Sequence, residues 1–101
     1  MFDASENDLR FAIQHALGPE IHKLISEIHD ISNDTVDAVL SEAAKFARDV
    51  IAPLNLSGDK QGCTWHSDNT VQTPTGFKEA YNDMCEAGWC SIEASEEFGG
   101  Q

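Results

Sequence analysis

Positive charge is what this sequence has least of: six Lys and Arg stand against eighteen Asp and Glu, for a net charge of −12. A surface of that sign repels phosphate backbones and anionic headgroups, so neither nucleic-acid binding nor electrostatic membrane association is expected. Long apolar runs are missing as well. None nears the ~18 residues of a membrane span, and no transmembrane helix is expected. The opening stretch MFDASENDLR has no basic segment followed by an apolar core. No secretory leader is therefore expected, and the expected location is cytoplasmic. Cysteine is scarce, three residues at irregular spacing, which does not make a disulfide framework. Seven Gly and three Pro are too few for a low-complexity chain. What is present, 41% apolar and 24% charged residues over 101 positions, suits one small globular domain.

The apolar residues recur with the helical period. Ser5 and Asp8 make a box-like start, after which Leu9, Ala12, Ile13, Ala16 and Leu17 fall on one face. Gly18-Pro19 breaks this first helix, and Pro19 suits the first turn of a second, whose stripe is Ile21, Leu24, Ile25 and Ile28. The strongest pattern is SNDTVDAVLSEAAKFARDVIAPLN, capped by Asn33 or Asp34, with Val36, Val39, Leu40, Ala43, Phe46, Ala47, Val50, Ile51 and Leu54 in register. Pro53 is expected to bend or end it, because its ring meets the carbonyl of Asp49. From Leu56 to Pro74 the composition is that of a loop, with a brief extended piece at Val71-Gln72. A last helix is capped by Thr75 and carries Phe77, Ala80, Tyr81 and Met84 on one face. It closes at Gly88, a left-handed residue that brings Trp89 back towards Met84. Cys90 to Gln101 has no helical period, and its Gly99-Gly100 pair marks a turn. The fold class is all-α, an incomplete bundle whose apolar faces exceed what these helices cover, so self-association is expected.

Residues able to carry chemistry are present but do not assemble into a site. Cys63, His66, Cys85 and Cys90 are four soft ligands. The span from a helical Cys85 to a Cys90 beyond its cap is not a tight zinc knuckle, however, and buried free cysteine is common. His15, His22 and His29 recur every seven residues, but the break at Gly18-Pro19 separates the first from the others, and surface histidines are the simpler reading. Glu93, Glu96 and Glu97 are expected to be solvated carboxylates, since nothing nearby shifts a pKa as a general acid or base needs. No G-x-S-x-G element is present, and Gly99-Gly100 lacks the further glycines, the Lys and the helix of a phosphate loop. No catalytic, cofactor-binding or metal-binding residue is assigned.

The order of the pieces resembles the N-terminal helical domain of the acyl-CoA dehydrogenases. An apolar helix runs from Val36 to Leu54 and ends in VIAPLN; a D-x-x-G loop follows at Asp59 to Gly62. A helix from Phe77 closes in Gly88-Trp89, and EEFGG at Glu96 to Gly100 stands in the place of the family's P-E-E-[YF]-G-G turn. Ser95 replaces the frequent Pro, and Phe98 the frequent Tyr. The helices before Asn33 resemble the amino-terminal extension of a longer-chain branch, the 3-methylmercaptopropionyl-CoA dehydrogenase type.

The resemblance implies that residues 1–32 are that extension and residues 33–101 the first part of a truncated N-terminal domain. The parent would be an FAD-dependent enzyme of fatty acid metabolism that oxidises acyl-CoA to trans-2-enoyl-CoA and passes electrons to electron-transfer flavoprotein. Its flavin site and glutamate base fall in segments with no counterpart here. The chain alone is expected to be an inactive scaffold that walls the acyl pocket and binds no FAD. Two rival expectations are a self-contained acidic helical module that docks a partner helix and a small zinc-stabilised domain.

Overall fold

The computed structural model describes residues 3–29 and 31–101. Two compact units divide between Ala52 and Pro53 and are described separately.

In the first unit, α1 (Glu6–Phe11) begins after Ser5. The expected Ser5–Asp8 pairing forms, but as a hydrogen bond from Ser5 Oγ to Asp8 Oδ2 (2.5 Å) and not as a bond to the helix backbone. The helix then widens into a π-helical turn, Ala12–Ala16. Gly18 turns the chain at φ +74°, and α2 (Gly18–His29) carries Pro19 in its first turn, where a missing N–H leaves no helical bond unmade. Lys23 and Glu27, one turn apart, pair across its surface at 3.6 Å. Ile28, expected in the apolar stripe of α2, has a side chain outside the described residues, as does His29.

The longest helix, α3 (Asn33–Phe46), is capped one residue earlier than expected. Ser32, with extended backbone, accepts a hydrogen bond from the Thr35 N–H at 3.2 Å. Asn33 and Asp34 lie inside the first turn, where Asp34 faces the positive end of the helix dipole. Pro53 does not end the helical run. A π-helical turn, Ala47–Ile51, precedes α4 (Ala52–Gln61), which places Pro53 at the start of a new α segment. The wider turn leaves room near the Asp49 carbonyl, and a proline in the first helical turn forfeits no bond.

The second unit corrects the expected loop. Residues 56–61, with Asp59 of the D-x-x-G stretch among them, are helical, and Gly62 ends α4 at φ +65°. Tertiary packing overrides the local composition here: Gly58 is buried because the Phe77 ring lies against its Cα. The extended piece at Val71–Gln72 is strand β2, paired antiparallel with β1 (Thr64–Trp65) in the register Thr64–Gln72 and Trp65–Val71. Asp68 shapes the hairpin tip by accepting from both the N–H (3.0 Å) and the hydroxyl (2.7 Å) of Thr70. Those two bonds hold its carboxyl below the usual range.

The last helix, α5 (Phe77–Glu86), is preceded by Gly76 in the left-handed region and not by a Thr75 side-chain cap. Thr75 instead donates its backbone N–H to Gln61 Oε1 at 3.0 Å, tying the end of α4 to the start of α5. At the other end Gly88 is left-handed as expected and donates to the Cys85 carbonyl at 3.0 Å. Short 3-10 turns follow at Trp89–Ser91 and Glu96–Phe98. Gly99-Gly100 closes a turn: the Gly100 N–H reaches the Ser95 carbonyl at 3.0 Å, with its Cα against the Ala94 carbonyl. The described fold is helical apart from this small hairpin, and no helix among the described residues is long and apolar enough to cross a membrane.

Candidate functional site

The polar groups of the first unit are used for docking helices. Arg10 of α1 donates to Glu6 Oε1 and, across to α3, to Asp37 Oδ1, both at 2.7 Å. Ser41 of α3 completes the clamp by donating to the same Glu6 oxygen at 2.6 Å. The Ser41 hydroxyl, and then Arg10, hold the Glu6 carboxyl below its ordinary range. Asp37, then Glu6, push the Arg10 guanidinium up. A carboxylate gripped by two donors is a weak proton acceptor, so this cluster fixes α1 on α3 and offers no general base.

A shallow groove of about 730 Å³ beside α2 brings together His15, His22, Lys23 and Asn33. Two of the three heptad-spaced histidines therefore do share a surface. His15 is exposed with its ring tilted against Phe11 (centroids 4.9 Å apart), and His22 is half-buried. Lys23 is engaged with Glu27. Ser26, the hydroxyl that lines this groove, donates to the Ile31 carbonyl at 3.2 Å.

The soft ligands divide. Cys85 Sγ and Cys90 Sγ lie 3.6 Å apart at the C-terminal end of α5, while Cys63 is exposed just before β1. Among the described residues no three His, Cys, Asp or Glu side chains converge as a metal site. Hydrogen bonding to Cys85 pushes up both the Tyr81 hydroxyl and the Cys90 thiol, with neighbouring thiol charge and burial adding to it. Glu93, Glu96 and Glu97 are all exposed, in line with solvated carboxylates.

What the fold does present is uncovered apolar surface. Ala44 and Ala80, each 6% exposed, are buried, as is Pro74. Leu9, Leu17, Leu24 and Phe11 in the first unit are more than half exposed, as are Leu56, Trp65, Tyr81 and Phe98 in the second. Burying a Leu or Phe side chain is worth roughly 1.5–3 kcal/mol, so such surface is ordinarily spent on a partner. The periodicity foretold the stripes of the first unit. Trp65 it did not place, because β1 is two residues long and leaves no alternation to detect.

No family model matches the chain. Curated relatives do. The 3-methylmercaptopropionyl-CoA dehydrogenase of Ruegeria pomeroyi is 33% identical over 100 residues, covering 98% of this chain and 17% of the relative. The butyryl-CoA dehydrogenase of Syntrophomonas wolfei is 39% identical over 88 residues, covering 80% of this chain and 14% of the relative. A broad-specificity linear acyl-CoA dehydrogenase of Mycobacterium tuberculosis is 27% identical over 100 residues, covering 98% and 16%. The chain thus spans about a sixth of the length of the relatives it matches. Over nearly all of its own length, it is an acyl-CoA dehydrogenase-like sequence, similar to a minor part of each of these longer proteins.

Proposed function

We propose that this chain is the opening helical portion of a flavin-dependent acyl-CoA dehydrogenase, in which it serves as scaffold and lines one side of the acyl-chain pocket. The observation that carries this reading is the coverage: three dehydrogenases of acyl-CoA thioesters each match 80% or more of this chain while using a sixth or less of their own length, within rounding. The uncovered apolar faces support it, since helices built to be overlaid by further helices display the same excess. In this reading residues 1–32 are an amino-terminal extension and residues 33–101 the first part of the N-terminal domain. The parent is cytoplasmic, oxidises acyl-CoA to trans-2-enoyl-CoA and delivers electrons to electron-transfer flavoprotein.

The residues described do not fit FAD. A dinucleotide pyrophosphate calls for a glycine-rich turn at a helix N-terminus or for cations free to meet it. The groove beside α2 offers Lys23, already held by Glu27, on a chain of net charge −12. The flavin therefore belongs to other parts of the parent, and this chain contributes no chemical step.

The test compares the 101-residue chain with the product of its complete reading frame. The complete product is expected to bleach its flavin on addition of an acyl-CoA thioester and to release the 2-enoyl product. The isolated chain should neither quench FAD fluorescence nor turn over. Stoichiometric flavin binding by the short chain, or a complete product without acyl-CoA oxidation, would overturn the reading. A self-contained interaction module shares the uncovered faces, but nothing in the comparisons favours it.

The isolated chain should also self-associate through α1, α2 and the Trp65 and Phe98 surfaces. Light scattering is expected to give a weight-average mass that climbs above the monomer as concentration rises. A constant 11.1 kDa particle would count against the scaffold role.

A further inference from the structure

We propose that Cys85 and Cys90 are a reversible dithiol–disulfide pair that latches the C-terminal end of α5 to the following 3-10 turn. The two sulfurs are 3.6 Å apart and both residues are exposed. A disulfide requires about 2.05 Å, so closure asks each sulfur to travel less than an ångström. The backbone between them is already turned: Ala87 donates to the Asp83 carbonyl, Gly88 is left-handed at φ +80°, and Ser91 donates back to Gly88. No helix needs to unwind for the sulfurs to meet. Cys63 lies outside this geometry and serves as an internal control.

The Tyr81 hydroxyl and the Cys90 thiol both hydrogen-bond to Cys85, and both hold their protons more firmly for it. The Cys90 thiol, which keeps its proton more firmly, is the poorer nucleophile, so Cys85 is the attacking group and Cys90 the resolving one. The oxidant is a low-molecular-weight disulfide of the glutathione class. Cys85 sulfur attacks one of its sulfurs, forming a mixed disulfide and expelling one small thiolate, which takes up the Cys85 proton. Cys90 sulfur then attacks Cys85 sulfur, forming the Cys85–Cys90 bond and expelling the second small thiolate, which takes up the Cys90 proton. Two electrons pass from the protein dithiol to the reagent, whose own S–S bond is broken.

Oxidised glutathione, added to the 101-residue chain, is expected to lower its free thiols from three to one and its mass by two hydrogens. Proteolysis should yield a Cys85–Cys90 linked peptide, and dithiothreitol should restore all three thiols. The Cys63→Ala variant should fall from two thiols to none, whereas Cys90→Ala should stop at a stable glutathione adduct on Cys85. Persistent adducts on both Cys85 and Cys90, chain-to-chain linkage in place of the internal one, or thiols that stay free under the same treatment would each overturn the proposal. Unlike the enzyme reading, the outcome needs neither flavin nor acyl-CoA, so each can fail without the other.

Discussion

Replacing Gly58 by valine is expected to destabilise the second unit by about 2 kcal/mol, the cost of overpacking a close contact. A Cβ at this position falls on Cε2 and Cζ of Phe77. Helix propensity works the other way, since glycine in a helix interior is the poorer former by about 0.5 kcal/mol relative to valine. Packing wins because the ring has to leave its seat. Phe77 is 39% exposed and free to swing outwards, but in doing so it loses the face it buries against α4. The urea midpoint should fall at unchanged slope. The explanation is checked by a double-mutant cycle: Phe77→Ala should cost about 1 kcal/mol less in the valine background than in the wild type. Equal costs in both backgrounds would mean that Gly58 is not the seat of the ring.

Gly76→Val is expected to be at least as damaging, for two reasons that add. Gly76 has φ +87°, where a side chain costs roughly 1–2 kcal/mol and a β-branched one is worst tolerated. A Cβ there also comes within 2.7 Å of Leu54 Cδ2, so the Leu54 side chain has to leave its place as α5 begins. A combined loss of about 2–4 kcal/mol approaches the whole stability of a small unit, and the thermal transition of residues 53–101 should broaden or vanish. Gly62→Ala separates the two causes. It carries a positive φ of +65° with nothing within 4 Å of the added carbon, so only the backbone cost applies. A Gly62→Ala variant as unstable as Gly76→Val would remove Leu54 from the account.

Gly58 lies where composition misled. LSGDKQ in α4 contains a glycine, a serine and an aspartate, residues that locally favour turns. It is helical nonetheless, because the Phe77 ring needs a residue with no side chain at 58. The cap of α3 is Ser32 and not the expected Asn33 or Asp34 for a different reason: three good capping residues stand in a row, and sequence alone does not rank them. Proximity of the sulfurs of Cys85 and Cys90 was likewise hidden, since a separation of five residues brings side chains together only if the chain turns left-handed between them.

By itself the sequence determined the helical class, the helices α1, α2, α3 and α5, the turns at Gly18, Gly88 and Gly99, and the likeness to the acyl-CoA dehydrogenases. Each of these rests on period, capping chemistry or local order along the chain, which need no distant partner. Tertiary structure alone decided that α4 runs on to Gln61, that Trp65 pairs with Val71 in a strand, and that Arg10 clamps Glu6 and Asp37. Those outcomes depend on which side chains meet after the chain has folded back, and a helical or loop propensity of a few tenths of a kcal/mol per residue yields to such contacts.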